Sequence, residues 1–197
     1  MTTANKVTFV RILLVPFFVV QVLYYIDSGD EWHRFLAVLS FAIAALSDGL
    51  DGYLARRYHQ HSELGAVLDP LADKLLLVSG VVLLSLHNEQ YLSRLPLWLA
   101  GTVIGRDVVL FLGAVVIHYV GGKVVVRPHW IGKVATVLQM SCVLWALFRF
   151  RADWLFPLSL GAAICTGISG VIYFVAGFRQ LAASPASSPA PQPGRPK

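Results

Sequence analysis

An all-helical integral membrane protein is the class that this sequence predicts, and two observations lead to that prediction. Of the 197 residues, 56% are hydrophobic and 14% are charged, whereas soluble domains carry about 25% charged residues. The apolar residues also occur in runs of about 20, which is the length that an α-helix needs to cross a bilayer. The chain is therefore expected to fold inside a membrane.

Six transmembrane helices follow from these apolar runs. We predict them at residues 7–26, 34–56, 65–87, 96–119, 130–149 and 154–178. Residues 1–180 would then form one membrane domain. Residues 181–197 are rich in Pro, Ser and Ala and have almost nothing apolar to bury, so we expect a disordered tail. Cys142 and Cys165 lie in apolar runs and are predicted to be inert buried thiols.

The distribution of Lys and Arg near the helix ends predicts the orientation of the chain in the membrane. One side would hold Arg34, Arg94, Arg149 and Arg151, beside the acidic residues Asp27, Asp30 and Glu31. The other would hold Lys6, Arg56, Arg57, Lys123, Arg127, Lys133, Arg179, Arg195 and Lys197. We predict that this second, more basic side faces the cytoplasm of an inner membrane. Arg149 and Arg151 lie on the other side and argue against this orientation, but they are outnumbered. We therefore attribute the positive charge of the protein to its orientation in the membrane and to contact with membrane lipids, and we expect no nucleic-acid partner.

Carboxylates gather where the second and third predicted helices meet the cytoplasmic side. Residues three and four apart share a helix face. The end of the second helix has such a stripe in Asp48, Asp51, Gly52 and Ala55, and the start of the third has one in Gly65, Asp69 and Asp73. A short loop joins the two helices, which makes them antiparallel neighbours. The two stripes are therefore expected to face each other just inside the membrane.

Four carboxylates in such a place are costly unless cations compensate them. Oxygen ligands of this kind suit Mg²⁺ or Mn²⁺, and two such ions about 3.5–4 Å apart can clamp a phosphoryl group. Gly52 and Ala55 would let a substrate approach the helix backbone, and Arg56 offers a planar fork to phosphate oxygens. A divalent-cation transporter is the alternative, although no comparable acidic pair continues the path outward.

The spacing of these residues resembles a known family. Asp48-x-x-Asp51-Gly52-x-x-Ala55-Arg56, eight further residues and then Gly65-x-x-x-Asp69-x-x-x-Asp73 match all eight specified positions of the CDP-alcohol phosphatidyltransferase signature. Near the N-terminus, Asn5, Thr8 and Arg11 also fall where that family has Asn-x-x-Thr-x-x-Arg, with Ala4 in place of the usual preceding Pro. The resemblance thus covers most of the chain.

The resemblance implies an activity and a role for each residue of the motif. Asp48, Asp51, Asp69 and Asp73 would hold two metal ions, and Asp73 would also be the general base that activates the acceptor hydroxyl. The residues assigned to the substrate CDP-diacylglycerol are Thr8, Arg11, Gly52, Ala55, Arg56, Ser62 and Gly65. The activated oxygen would attack the phosphorus bonded to diacylglycerol, and CMP would leave. Six membrane helices and a homodimer are implied as well.

The acceptor alcohol is predicted from a second set of residues. "DPLADK" at 69–74 resembles the branches that make phosphatidylglycerophosphate or cardiolipin. We expect glycerol 3-phosphate, bound by Arg106, Lys133 and Arg127. The alternative is phosphatidylglycerol, because the Arg106–Asp107 pair and "SELG" at 62–65 resemble the branch that makes cardiolipin.

Three expectations concern how the polar residues of the later helices pair. Adjacent helix residues do not face each other, so Arg106 and Asp107 are predicted to have separate partners. Lys133, Thr136 and Gln139 are spaced three apart and are predicted to form a polar stripe facing the substrate pocket, with hydrogen bonding between helices as the alternative. Lys74 fits a pocket cation and a structural lysine equally well.

Overall fold

The computed structural model describes residues 3–58, 63–86, 91–119 and 130–182, and within its helices the side chains of 3–8, 48–58, 63–70, 118 and 180–182 are not described. These ranges contain six α-helices, which confirms the number of helices predicted. They are α1 Thr3–Ser28, α2 Glu31–Tyr58, α3 Glu63–Leu86, α4 Leu97–Tyr119, α5 Trp130–Leu147 and α6 Leu155–Ala182. A single 3₁₀ turn, Ala152–Trp154, precedes α6. The predicted tail at 183–197 lies outside the described residues.

A glycine and an aspartate form the tight corner between α1 and α2. Gly29 has a φ of +71°, and a Cβ there would lie 2.6 Å from Cε1 of Tyr91, so neither the backbone angle nor the space suits another residue. Asp30 then caps α2, because its Oδ1 accepts a hydrogen bond from the backbone N–H of Trp32 at 3.0 Å. The corner is therefore specified by its local sequence.

The end of α5 carries an arginine where glycine is the usual residue. The backbone N–H of Phe150 bonds the carbonyl of Trp145 at 3.3 Å and that of Arg149 bonds Ala146 at 3.1 Å, which is the Schellman pattern. Arg149 holds the left-handed position with a φ of +56°, and its Nη1 lies 3.2 Å from Oε1 of Glu31. Glu31 also pairs with Arg34 at 2.6 Å. The arginine that opposed the predicted orientation is thus neutralised by an acid of the α1–α2 corner.

The helices pack in two groups that share one apolar core. α1 lies along α2 and α3, while α6 lies along α5 and α4. Phe18 and Phe41 meet with ring centroids 5.3 Å apart, and at Gly80 an added Cβ would lie 3.1 Å from Val143. The small residue lets α5 approach α3 closely. The core is therefore built by contact between groups as well as within them.

The outer surface of the helices is apolar. Large side chains such as Phe111, Val171 and Phe178 have more than 60% of their surface exposed, which suits a lipid environment and not water. Four of the described helices have a segment long and apolar enough to cross a bilayer, at Phe9–Ser28, Leu97–Ile117, Trp130–Leu147 and Ala152–Arg179. The protein is an integral membrane protein.

The predicted polar stripe on α5 is wrong for Gln139. Its side chain is buried, and Nε2 donates a hydrogen bond to Oγ1 of Thr166 on α6 at 2.6 Å. Thr136 bonds the carbonyl of Gly132 in its own helix at 3.1 Å. A buried amide must find a partner, and the neighbouring helix supplies it. Gln139 therefore links two helices and does not face a pocket.

Candidate active site

Asp73 is held by an arginine from a distant part of the chain. Nη1 of Arg11 on α1 donates to Oδ1 of Asp73 on α3 at 2.9 Å. Arg11 is fully buried, while 28% of the Asp73 side chain stays accessible. A buried guanidinium bonded to a carboxylate oxygen holds that carboxylate in place. The described contact of Arg11 is thus with Asp73, and its contact with substrate stays a prediction.

Lys74 and Arg106 converge on one carboxylate oxygen. Nζ of Lys74 on α3 lies 2.9 Å from Oδ1 of Asp107, and Nη1 of Arg106 lies 2.8 Å from the same atom. The prediction that Arg106 and Asp107 have separate partners is therefore wrong. The rule behind it concerns the directions in which side chains leave the helix, and the arginine chain is long enough to bend back to its neighbour. Lys74 is the second partner of Asp107.

Small residues on α5 and α6 make room for the Arg106 side chain. A Cβ at Gly170 would lie 3.3 Å from Cγ of Arg106, and a Cβ at Gly132 would lie 3.6 Å from its Nη2. The guanidinium carbon stands 5.8 Å from the ring centroid of Tyr173, and Nη2 is 3.5 Å from Oγ of Ser169. The guanidinium is thus seated between two helices. We call Gly132, Ser169, Gly170 and Tyr173 the Arg106 cradle.

These contacts bring five helices together at one level of the bundle. We call this level the polar layer and define it by Arg11, Asp73, Lys74, Arg106 and Asp107 together with the Arg106 cradle. Within it, the predicted base Asp73 and the predicted acceptor residue Arg106 are linked through Lys74 and Asp107. Lys133 follows Gly132 directly on α5 and is exposed. Of the candidate acceptor cations, Arg106 is therefore connected, through Asp107, to the lysine that follows the candidate base in α3.

The remaining predicted site residues have undescribed side chains or lie outside the described residues. Thr8, Asp48, Asp51, Gly52, Ala55, Arg56, Gly65 and Asp69 belong to helix segments whose side chains are not described, and Ser62 and Arg127 fall in the gaps at 59–62 and 120–129. The segments themselves are helical at the end of α2 and the start of α3, as predicted. Of the four predicted metal ligands, Asp73 is the one whose side chain the structure describes. Its partly accessible carboxylate suits a hard divalent cation.

Comparison with known proteins identifies the family. A family model described as CDP-alcohol phosphatidyltransferase matches residues 1–172. The chain belongs to the CDP-alcohol phosphatidyltransferase family. Curated relatives from Escherichia coli K12, Escherichia coli O157:H7 and Shigella sonnei are each 38% identical to it over 142 residues, which are 72% of this chain and 74% of theirs. Each of these relatives is named CDP-diacylglycerol--glycerol-3-phosphate 3-phosphatidyltransferase.

The Arg106 cradle is the part of this phosphatidyltransferase that the sequence analysis did not find. A signal was present on α6, where Thr166, Ser169, Gly170 and Tyr173 follow the spacing i, i+3, i+4 and i+7 of one helix face. Small and polar residues on one face of an otherwise apolar membrane helix mark a contact with another helix. The same signal does not say that the partner is an arginine of α4.

The Arg106 cradle gives the first test of the phosphatidyltransferase site. Gly170→Ala should raise the KM for the acceptor by roughly 3- to 10-fold, since a displacement of about 1 Å near a reacting group can cost about 100-fold. The added methyl would lie 3.3 Å from Cγ of Arg106, so the arginine side chain would have to shift by a few tenths of an ångström. The measurement is CMP release as a function of acceptor concentration.

Gly167→Ala is the matched control, because it lies on the same helix and its Cβ would have nothing within 4 Å. We expect it to leave the KM for the acceptor unchanged and to stabilise α6 slightly, by up to about 1 kcal/mol. Equal KM values for the Gly170→Ala and Gly167→Ala variants would show that the fit of Arg106 in its cradle does not affect acceptor binding.

Proposed function

We propose that this enzyme transfers the phosphatidyl group of CDP-diacylglycerol to glycerol 3-phosphate, with release of CMP. The acceptor oxygen would attack the phosphorus bonded to diacylglycerol, the bond from that phosphorus to the CMP oxygen would break, and Asp73 would take the hydroxyl proton. The observation that carries the acceptor assignment is the convergence of Arg106 and Lys74, the residue that follows Asp73, on one oxygen of Asp107. The relatives named for glycerol 3-phosphate support it.

A phosphate acceptor explains a feature of Arg106. Its Nε is buried, and among the described residues it has no hydrogen-bond partner. A buried donor without a partner costs about 1–3 kcal/mol. We propose that an anion bound against the guanidinium reduces this cost and that Lys133, which follows Gly132 on α5, adds a second charge. The predicted contribution of Arg127, from the segment before α5, belongs to the same proposal.

We infer that two Mg²⁺ ions, or Mn²⁺, are held by Asp48, Asp51, Asp69 and Asp73. The support is the spacing of the acids and the accessible carboxylate of Asp73, which Arg11 holds in place. Such ions neutralise charge on the phosphate oxygens during transfer. The protein side chains around them bind and orient the donor, and for this we propose Gly52, Ala55, Arg56, Ser62 and Gly65, with Thr8 from α1.

We also infer six membrane spans and an active site that faces the cytoplasm. α2 has 28 residues and α3 has 24, so at 1.5 Å per residue each exceeds the roughly 30 Å of hydrocarbon. The residues of the polar layer lie nearer the predicted inner ends of α1, α3, α5 and α6, whereas Arg106 and Asp107 lie nearer the predicted outer end of α4. A homodimer is proposed from the family resemblance alone.

The orientation can be tested by labelling. Gln60→Cys and Val125→Cys, introduced singly in a background without Cys142 and Cys165, should react with a membrane-impermeant thiol reagent only in inverted vesicles. Both positions belong to segments that join helices on the predicted inner side. Labelling of either residue in intact cells would reverse the orientation and exclude a cytosolic supply of the acceptor.

The activity is tested with purified protein in lipid nanodiscs, supplied with CDP-diacylglycerol, Mg²⁺ and one acceptor at a time. Glycerol 3-phosphate should give CMP and phosphatidylglycerophosphate in equal amounts. A parallel reaction with phosphatidylglycerol tests cardiolipin formation, which the Arg106–Asp107 pair favours as the second candidate. Product from phosphatidylglycerol with none from glycerol 3-phosphate would refute the proposed acceptor and leave the phosphatidyltransferase assignment intact.

A further inference from the structure

Asp107 is a carboxylate in a place where the proposed substrate is an anion. Only 19% of its side chain is accessible, and a single oxygen, Oδ1, receives both Lys74 and Arg106. A carboxylate beside an anion-binding site repels the anion, so its presence there calls for a second role. The two contacts of Asp107 indicate this role, because they come from cations on two different helices.

Lys74 depends on Asp107 more than Arg106 does. The Lys74 side chain is 49% exposed, and its long flexible stem carries about 2 kcal/mol of rotamer entropy. The Asp107 carboxylate draws the ammonium group from α3 toward α4. Arg106 has the glycines and Tyr173 of its cradle as well, so Asp107 fixes mainly the direction of its Nη1 edge.

The shared oxygen sets the distance between the two cations. With Nζ and Nη1 at 2.9 and 2.8 Å from the same atom, the two nitrogens lie within about 6 Å of each other, a spacing that one phosphate group can bridge. The carboxylate also offsets one of the two charges, which keeps the pair from repelling each other in a poorly solvated place. Two aligned donors with a net charge of one result.

We propose that Asp107 is a positioning residue that aligns Lys74 and Arg106 as one binding pair for the phosphate of the acceptor. It touches neither substrate nor metal in this role and acts through the two cations. The inference rests on the proposed function, since it needs a phosphorylated acceptor. It assigns Lys74 to the acceptor pocket, a choice that its sequence left open.

The first test compares Asp107→Asn with Asp107→Glu in nanodiscs. Asparagine keeps the shape of the side chain and loses the charge that strengthens both contacts, so the KM for glycerol 3-phosphate should rise about 5- to 10-fold. The KM for CDP-diacylglycerol should change less than twofold, and glutamate should restore most of the acceptor affinity. Loss of thermal stability with both KM values unchanged would show a structural role only and overturn the proposal.

The second test uses Lys74→Met, which keeps the stem and removes the ammonium group. It should raise the KM for glycerol 3-phosphate by itself, and adding Asp107→Asn should raise it by less than the product of the two separate effects. Residues that act through one another are not additive. Fully multiplicative effects would mean that Asp107 does not act through Lys74. If Asp107→Asn fails to fold, Asp107→Glu takes its place in this comparison, and an unchanged KM in Lys74→Met alone would contradict the assignment of Lys74 to the acceptor pocket.

Glu31→Gln is the control for a lost carboxylate ion pair. Glu31 pairs with Arg34 and Arg149 at the α1–α2 corner, away from the polar layer, so its loss should leave the KM for glycerol 3-phosphate unchanged. A wild-type enzyme that does not use glycerol 3-phosphate would contradict the proposed function. An active wild type whose acceptor KM is the same in Asp107→Asn would contradict only the positioning role.

Discussion

Asp73→Asn should lower the rate of CMP release by about 10²- to 10⁴-fold, the range expected when a general base is removed. Asparagine has nearly the same shape and can still accept a hydrogen bond from Arg11. It can neither take a proton from the acceptor nor offer a charged ligand to a metal. The measurement is single-turnover CMP release from CDP-diacylglycerol at saturating acceptor.

Two further measurements separate this loss of activity from loss of fold. Asp153→Asn removes a carboxylate that is paired with Arg151 on the exposed turn before α6, and it should leave the rate unchanged. EDTA added to the wild type leaves the Arg11–Asp73 pair intact and should abolish activity until Mg²⁺ or Mn²⁺ is returned. Full activity in EDTA would contradict the two-metal proposal, and full activity of Asp73→Asn would remove Asp73 as the base.

Arg106→Gln and Lys133→Gln should each weaken the apparent affinity for glycerol 3-phosphate by about 10- to 150-fold. A charge-assisted hydrogen bond contributes about 1.5–3 kcal/mol, and 1.4 kcal/mol corresponds to a factor of ten. Arg106 should show the larger effect, because it is seated in its cradle and the exposed Lys133 is not. The measurement is the acceptor dependence of CMP release at saturating CDP-diacylglycerol.

The affinity for CDP-diacylglycerol should change little in both variants, since its phosphates are assigned to Arg56 and the metals. Arg151→Gln is the control, because that guanidinium is exposed and bound to Asp153. An equal loss of affinity for both substrates would mean that Arg106 and Lys133 support the fold of the site and do not recognise the acceptor.

The six helices could be predicted from the sequence because each is a long apolar run, and the length of such a run is enough to predict a helix. The structure places the ends within four residues of the predicted ones, as with α5, which ends at Leu147 and not at 149. The family signature could also be found, since its residues are close in sequence. Both kinds of signal are local.

The contacts that the sequence analysis missed are those between distant residues. Arg11 and Asp73 are 62 positions apart, and nothing in either helix alone indicates that they meet. The Arg106 cradle depends on which face of α6 packs against α4 and α5. The spacing of Gln139 from Lys133 predicts a place facing the pocket. Spacing within one helix, however, does not show which residue of a neighbouring helix lies opposite. Pairing across helices follows from packing, which one sequence does not reveal.

The polar layer also changes how stability and turnover relate in this protein. A soluble enzyme often becomes more stable when polar active-site groups are replaced, because these groups serve the reaction and lower the stability of the folded state. Between helices in lipid, apolar surface gives no preference for protein over acyl chain, and polar contacts help to choose the arrangement. Asp73, Asp107 and Arg106, which we propose serve the reaction, therefore also link the helices of the bundle. Selection for heat resistance should then alter the lipid-facing surface and retain these residues.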